Sequence, residues 1–143
     1  MSVEHFIDTN VFVYSFDDDA GSKRHRAREL IVRSLRDRSG AISSQVVQEF
    51  LNVALHKWEV PMDTETAARY LQNTLMPLCR IYPSENLFRS ALSIRTDTQY
   101  RFFDCLIVAA ALQSGAKTLY SEDLQHDRRF GTLRIVNPFR TET

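Results

Sequence analysis

Four carboxylates in this chain stand where a lone charge is costly. Asp8 closes the apolar pair Phe6-Ile7 and is followed at once by Thr9 and Asn10. Glu49 falls among Val46, Phe50, Val53 and Ala54, which repeat at helical spacing. Asp104 opens an apolar run with Ile107, Val108, Ala111 and Leu112, and Asp123 follows Leu119-Tyr120-Ser121-Glu122. Burying an unpartnered carboxylate is unfavourable, so acids that are far apart in sequence yet all face inward suggest a shared destination. A divalent cation is the simplest one. Mg²⁺ and Mn²⁺ prefer oxygen ligands. Such a metal can bind a phosphate oxygen, activate water and steady a leaving oxygen. Without a cation the like charges would raise some of the carboxyl pKa values. Each acid alone has a plainer use: Asp8 and Asp104 as helix caps, Glu49 in a salt bridge, Asp123 in a turn. Those uses require four independent coincidences.

The elements that must position these acids follow from pattern. Val3 to Ile7 reads as a short strand and Val11 to Phe16 as a short helix or turn. Ser22 is placed to cap a helix to about Arg38, with Gly40 as its stop and Ala27, Leu30, Ile31, Ser34 and Leu35 facing inward. Ala41 to Ser43 is a strand, and Ser43 or Ser44 caps a helix to about Trp58. Asp63 or Thr64 starts a helix to about Leu75, Leu78 to Tyr82 is a strand, and Ser84 opens a helix through Ile94. Phe103 to Ser114 is a helix stopped by Gly115, Lys117 to Tyr120 a strand, and Arg134 to Val136 a last strand. Strands alternating with helices imply a three-layer α/β domain with a central parallel sheet. In such sheets, sites form beyond the carboxyl ends of the strands. Asp8 and Asp123 lie there, and Glu49 and Asp104 lie on the inner faces of the helices that follow.

Length and composition narrow the classes. The chain has 143 residues, which suits one domain over residues 1–143 with a real core. Lys+Arg and Asp+Glu are both 18, so bulk charge does not coat nucleic acid, although a metal and a local patch could still bind it. Cys79 and Cys105 are isolated and lack metal-type spacing. There is no basic-then-apolar leader and no membrane-length apolar run, so a soluble cytoplasmic protein is the expectation. Repeats and low-complexity tracts are absent.

Four stretches carry a resemblance: Phe6-Ile7-Asp8-Thr9-Asn10, Ser43 to Phe50, Phe103 to Ala111, and Leu119 to Leu124. In their order and spacing they resemble PIN-domain ribonucleases, specifically the VapC-type toxins of bacterial toxin–antitoxin modules. The resemblance spans nearly the whole length. It implies a PIN fold and Mg²⁺- or Mn²⁺-dependent cleavage of RNA phosphodiesters. It maps the acidic quartet of the family onto Asp8, Glu49, Asp104 and Asp123, with Asp8, Asp104 and Asp123 as metal ligands. The accessory polar positions map onto Asn10 and Ser121. Lys23, Arg24 and Arg26, with Arg128 beyond His126, are candidate RNA contacts. The resemblance further implies a small cognate antitoxin and a homodimer. Val60, Met62, Tyr70, Leu71 and Leu75 add a physical hint of apolar surface for a partner. One departure is Asp127, where related sequences often carry glycine. Two other classes fit parts of the pattern. A haloacid-dehalogenase-type phosphatase also begins with a strand ending in Asp, but it wants a second acid at position 10, which is Asn. A non-catalytic PIN-like scaffold would bind RNA or protein without turnover.

Overall fold

The computed structural model describes residues 2–140. Six strands form one sheet in the order β3-β2-β1-β4-β6-β5. They are β1 (His5–Ile7), β2 (Gly40–Ser43), β3 (Cys79–Ile81), β4 (Thr118–Tyr120), β5 (Arg129–Phe130) and β6 (Leu133–Val136). β1 lies between β2 and β4, with Phe6 beside Ala41 on one flank and Leu119 on the other, and both pairings are parallel. β4 pairs with β6 in parallel as well. The parallel expectation needs one correction: β5 runs antiparallel to β6, with Phe130 opposite Leu133. The sheet is therefore mixed, closed at one edge by a hairpin.

The helices are α1 (Thr9–Tyr14), α2 (Ser22–Asp37), α3 (Ser44–His56), α4 (Thr64–Tyr70), α5 (Met76–Leu78), α6 (Glu85–Asp97) and α7 (Phe102–Ser114), with a π-helical turn (Leu71–Leu75) joining α4 to α5. With the strand order β3-β2-β1-β4, right-handed crossovers place α1 to α5 over one face of the sheet and α6 and α7 over the other. The strand order reverses direction between β1 and β4, which makes their carboxyl ends the switch point of the sheet.

Burial follows the sequence pattern in most elements. α2 buries Ala27, Leu30, Ile31 and Ser34, one face at helical spacing. Its N-cap is Gly21 rather than Ser22, and it ends at Arg38 in a left-handed conformation (φ 55°). Gly40 is therefore not the stop. It opens β2 against Ser34, where a Cβ would lie 2.5 Å from the Ser34 Cβ. The single stripe expected on α7 is also corrected: every residue from Cys105 to Ala111 is buried, because the helix is sandwiched between the sheet and α6. Gly115, at φ 82°, ends it.

The apolar surplus expected on the fourth helix is absorbed inside the domain. Leu75 is fully buried, and the Tyr70 ring packs on Phe16 and Phe50, which also pack on Trp58. Each fully buried side chain of this size is worth ~1.5–3 kcal/mol. Only Val60 of that group is strongly exposed. Among the described residues no helix is long and apolar enough to cross a membrane.

Candidate active site

β1 delivers Asp8 to the switch point. Its backbone N–H extends the ladder by donating to the Tyr120 carbonyl (2.9 Å), and its side chain caps α1 by accepting from the Thr9 N–H at 2.7 Å. The capping use and the site use of Asp8 are thus compatible. The second carboxylate oxygen accepts from the Ser121 hydroxyl at 2.7 Å, and Ser121 is fully buried at the end of β4. Burial is the main force on Asp8, which is 7% exposed. It pushes the carboxyl up to about 7, although Ser121 and Thr9 favour the charged form; the charges of Glu49 and Asp123 push the same way.

The inward placement expected of all four acids needs a correction: Asp8 is buried and Asp104 half-buried, but Glu49 and Asp123 are exposed, held near Asp8 by polar links from Thr9 and Asn10. Glu49, one turn into α3, accepts from the Thr9 hydroxyl (3.4 Å) and from the Gln45 amide (3.1 Å). Gln45 also donates to the Phe103 carbonyl at 3.0 Å, tying the start of α3 to the start of α7. Asp123 accepts from the Asn10 amide at 3.1 Å. Asp104 lies in the first turn of α7. Desolvation raises the Glu49 carboxyl against its two donors, and the charges of Asp104 and Asp123 add to the rise. Desolvation also raises Asp104, with the Asp123 charge adding and Arg101 opposing. The four acids therefore feel one another, and most of their direct partners are neutral.

That charge imbalance is the test of fit for a metal. The donor set is all hard oxygen, and no cation makes a hydrogen bond or ion pair with any of the four acids among the described residues. Among those residues no three His, Cys, Asp or Glu side chains stand close enough together to hold a metal ion as they are placed. Thr9 bridges Asp8 and Glu49, Asn10 holds Asp123, and Asp104 makes no hydrogen bond among the described residues. A hard-oxygen set of this kind would suit Mg²⁺, which is commonly held by one or two carboxylates and keeps several waters.

The expected RNA-contacting cations are engaged within the fold. Lys23 pairs with Glu122 at 2.7 Å, Arg24 with Asp18 at 3.1 Å, and Arg26 donates to the Pro138 carbonyl at 3.2 Å. Arg128 donates to the Gln125 side chain and lies over the Tyr100 and Phe130 rings. Asp127 adopts the left-handed conformation itself, at φ 69°, with its N–H on the Ile135 carbonyl and its carboxylate on Arg134. The loop keeps the turn that glycine would give, at the cost of a strained φ.

Two residues at the site escape a reading by motif. Gln45 could have been found, because it sits one helical turn before Glu49. Glu122 reads as a polar loop residue, and only the fold shows its partners Tyr14 and Lys23. Desolvation pushes its carboxyl up, but Lys23 and Tyr14 outweigh this and hold it below its ordinary value.

Three solved structures share this architecture. One is a toxin–antitoxin complex from Klebsiella pneumoniae (16% identity, TM-score 0.68, covering 96% of this chain and 100% of that one). Another is VapBC2 from Rickettsia felis bound to a DNA fragment from their promoter (23%, 0.63, 93% and 97%). The third is VapC20 of Mycobacterium tuberculosis, a Sarcin-Ricin loop cleaving toxin (16%, 0.57, 84% and 90%). At these identities they show a shared fold. No curated protein matches the chain by sequence. The PIN domain family model matches residues 5–130, which include all four acids, Asn10 and Ser121. The chain belongs to the PIN domain family.

Proposed function

We propose that this chain is a divalent-metal-dependent ribonuclease that hydrolyses RNA phosphodiesters, and that it serves as the toxin of a type II toxin–antitoxin pair in the cytoplasm. The observation that carries the nuclease reading is the edge where Asp8, Glu49 and Asp104 are each raised by desolvation and by neighbouring carboxylates, with no cation ion-paired to them among the described residues. Asp8, Asp104 and Asp123 would hold Mg²⁺ or Mn²⁺. When bound, the ion supplies Lewis-acid polarisation of the scissile phosphate and an acidified water. Ser121 and the Thr9 N–H fix the Asp8 carboxylate, and Asn10 fixes Asp123, so each presents its oxygens in a set direction. Glu49, its carboxyl raised by desolvation and steadied by Thr9 and Gln45, would add a fourth hard oxygen donor beside the ligands or orient a bound water.

Solved toxins of this fold occur as complexes with antitoxins, which supports an antitoxin partner here. A recess of ≈ 270 Å³ between α2 and the π-helical turn, lined by Phe16, Ile31, Val32, Leu35 and Tyr70, would take apolar side chains of an antitoxin helix. The homodimer expectation moves to another surface. Phe88 and Leu92 on α6 and Phe103 on α7 are exposed, and Phe88 and Phe103 line one recess. Light scattering at high micromolar concentration should show a dimer, and a monomer would remove that part.

The deciding experiment for the reaction is a metal-titrated cleavage assay on mixed RNA. Cleavage should require Mg²⁺ or Mn²⁺, stop with chelator, and be silenced by the product of the adjacent gene. Metal binding with no cleavage would favour a non-catalytic scaffold. Hydrolysis of small phosphomonoesters alone would favour a phosphatase.

A further inference from the structure

The geometry points to Glu122 as a positioning residue that, together with Lys23 and Tyr14, sets the direction of the Asp123 carboxylate. The inference rests on the nuclease reading only for its metal-affinity and kinetic arms. Both oxygens of Glu122 are taken by different helices: Tyr14 of α1 donates its hydroxyl to one, and Lys23 of α2 holds the other at 2.7 Å. The Lys23 ammonium also lies over the Tyr14 ring at 4.9 Å and the Phe139 ring at 5.8 Å, and those two rings meet edge to face. Lys23 is thus fixed by a charge and two aromatic faces. The Glu122 backbone N–H points to the Asn10 side-chain oxygen at 3.4 Å, while the Asn10 amide donates to Asp123 at 3.1 Å.

Asn10 and Tyr14 lie one turn apart on α1, so a single helical turn grips consecutive loop residues. The grip on Glu122 holds the loop down, and Asn10 then reads the loop's position out at Asp123. A charge this close to a cluster of acids would ordinarily add to their repulsion. Pairing it with Lys23 lets Glu122 anchor the loop while its charge is balanced. This also gives Lys23 a structural duty in place of a free hold on RNA.

The experiment compares the wild type with Glu122→Ala, Lys23→Met and the conservative Lys23→Arg. Three readouts are taken: the Asn10 side-chain amide signals by NMR in metal-free protein, Mn²⁺ affinity by calorimetry, and kcat and KM on a mixed-sequence oligoribonucleotide. In Glu122→Ala and Lys23→Met the Asn10 amide signals should move, Mn²⁺ affinity should fall about tenfold, and kcat should fall roughly 10–100-fold with KM within about twofold. Lys23→Arg keeps the ion pair and should restore all three. Unmoved Asn10 signals with wild-type Mn²⁺ affinity in Glu122→Ala would overturn the proposal. So would a rise in KM at unchanged kcat in Lys23→Met, which would make Lys23 an RNA contact. Lys23 is partly exposed, so its variants stay informative if Glu122→Ala fails to fold. A wild type that cleaves no RNA, with Asn10 signals that still move, would remove the nuclease reading and leave the clamp standing.

Discussion

The two ends of the central sheet solve the same problem in opposite ways. At the amino ends of β1 and β2 the buried polar groups close on one another. His5 Nε2 meets the Ser34 hydroxyl at 2.6 Å, and Ser34 donates to the Leu30 carbonyl at 2.7 Å. Burial, with the Arg33 charge adding, holds His5 below its ordinary value, so this chain of bonds is neutral and satisfied. At the carboxyl ends, Asp8 and its neighbouring acids are steadied chiefly by hydroxyls and amides, and their charges add up. One end is built for stability alone. The other keeps carboxylates together at a cost that protonation or a bound cation would relieve, a pattern enriched at reactive sites.

The largest expected effect breaks the acidic end. Asp104→Asn removes the charge of a proposed metal ligand from a half-buried position and keeps its shape. Cleavage should fall by roughly three orders of magnitude, a loss of the size seen when a group serving only the transition state is removed. Circular dichroism should be unchanged. Near-wild-type turnover by the purified variant would remove Asp104 from the site.

Next comes the stability of the acidic end without metal. The folded Asp8 carboxyl sits at about 7, above the ordinary 3.8 that it regains on unfolding. The metal-free fold therefore keeps this contribution in full below pH 3.8 and loses it as pH rises towards and through 7, because the folded carboxyl must then carry a penalised charge. The loss amounts to roughly 4 kcal/mol. Asp8→Asn can still accept from Thr9 and can donate to Ser121, so it should flatten that slope and melt higher than the wild type at pH 8 in chelator. Excess Mn²⁺ should reverse the order. A variant that melts lower at pH 8 without metal would make Asp8 a structural cap first and a ligand second.

The same contrast explains what can be read without coordinates. Asp8 and Asp104 were legible because a charge directly after Phe6-Ile7, or at the head of the apolar run Cys105 to Ala111, breaks the pattern around it, whereas Glu49 and Asp123 turn out exposed. The alternation of strand and helix was legible because short apolar runs and helical spacing alternate cleanly from β1 to β4. β5 leaves no trace, since Arg129–Phe130 is two residues long in a polar loop and gains its strand character only from pairing with Leu133 and Arg134. The π-helical turn has no periodic signature. Tyr70 and Leu75 read as surplus surface because their partners, Phe16, Phe50 and the core, are distant in sequence. The duty of Glu122 was hidden for a similar reason: its partners lie on α1 and α2, far upstream in the chain.

The smallest effect tests the neutral end. Gly40 is there for closeness and not for an unusual backbone: a Cβ would meet Ser34 Cβ at 2.5 Å and Ser34 Oγ at 2.9 Å. Neither atom is the far end of a flexible chain, so α2 or β2 must shift, and Ser34 is the partner that satisfies buried His5. Gly40→Ala should cost ~2–3 kcal/mol, from overpacking and from the strained His5 bond. The loss should appear as a lower urea midpoint at unchanged m-value, and kcat per folded molecule should stay within about twofold because the acids are at the other end of the strands. Ser34→Gly removes the clashing atoms but leaves His5 without its partner and puts glycine inside a helix, so alone it is also destabilising. In the double variant the clash is gone. The nearest atom left to the new Cβ is Leu78 Cδ2 at 3.4 Å, an ordinary contact. The double variant should therefore be more stable than the sum of the single losses, with a coupling of about 1 kcal/mol or more. Additive losses would mean that Gly40 acts through the backbone instead. A fall in kcat alongside the fall in stability would mean that the two ends of the sheet are not independent.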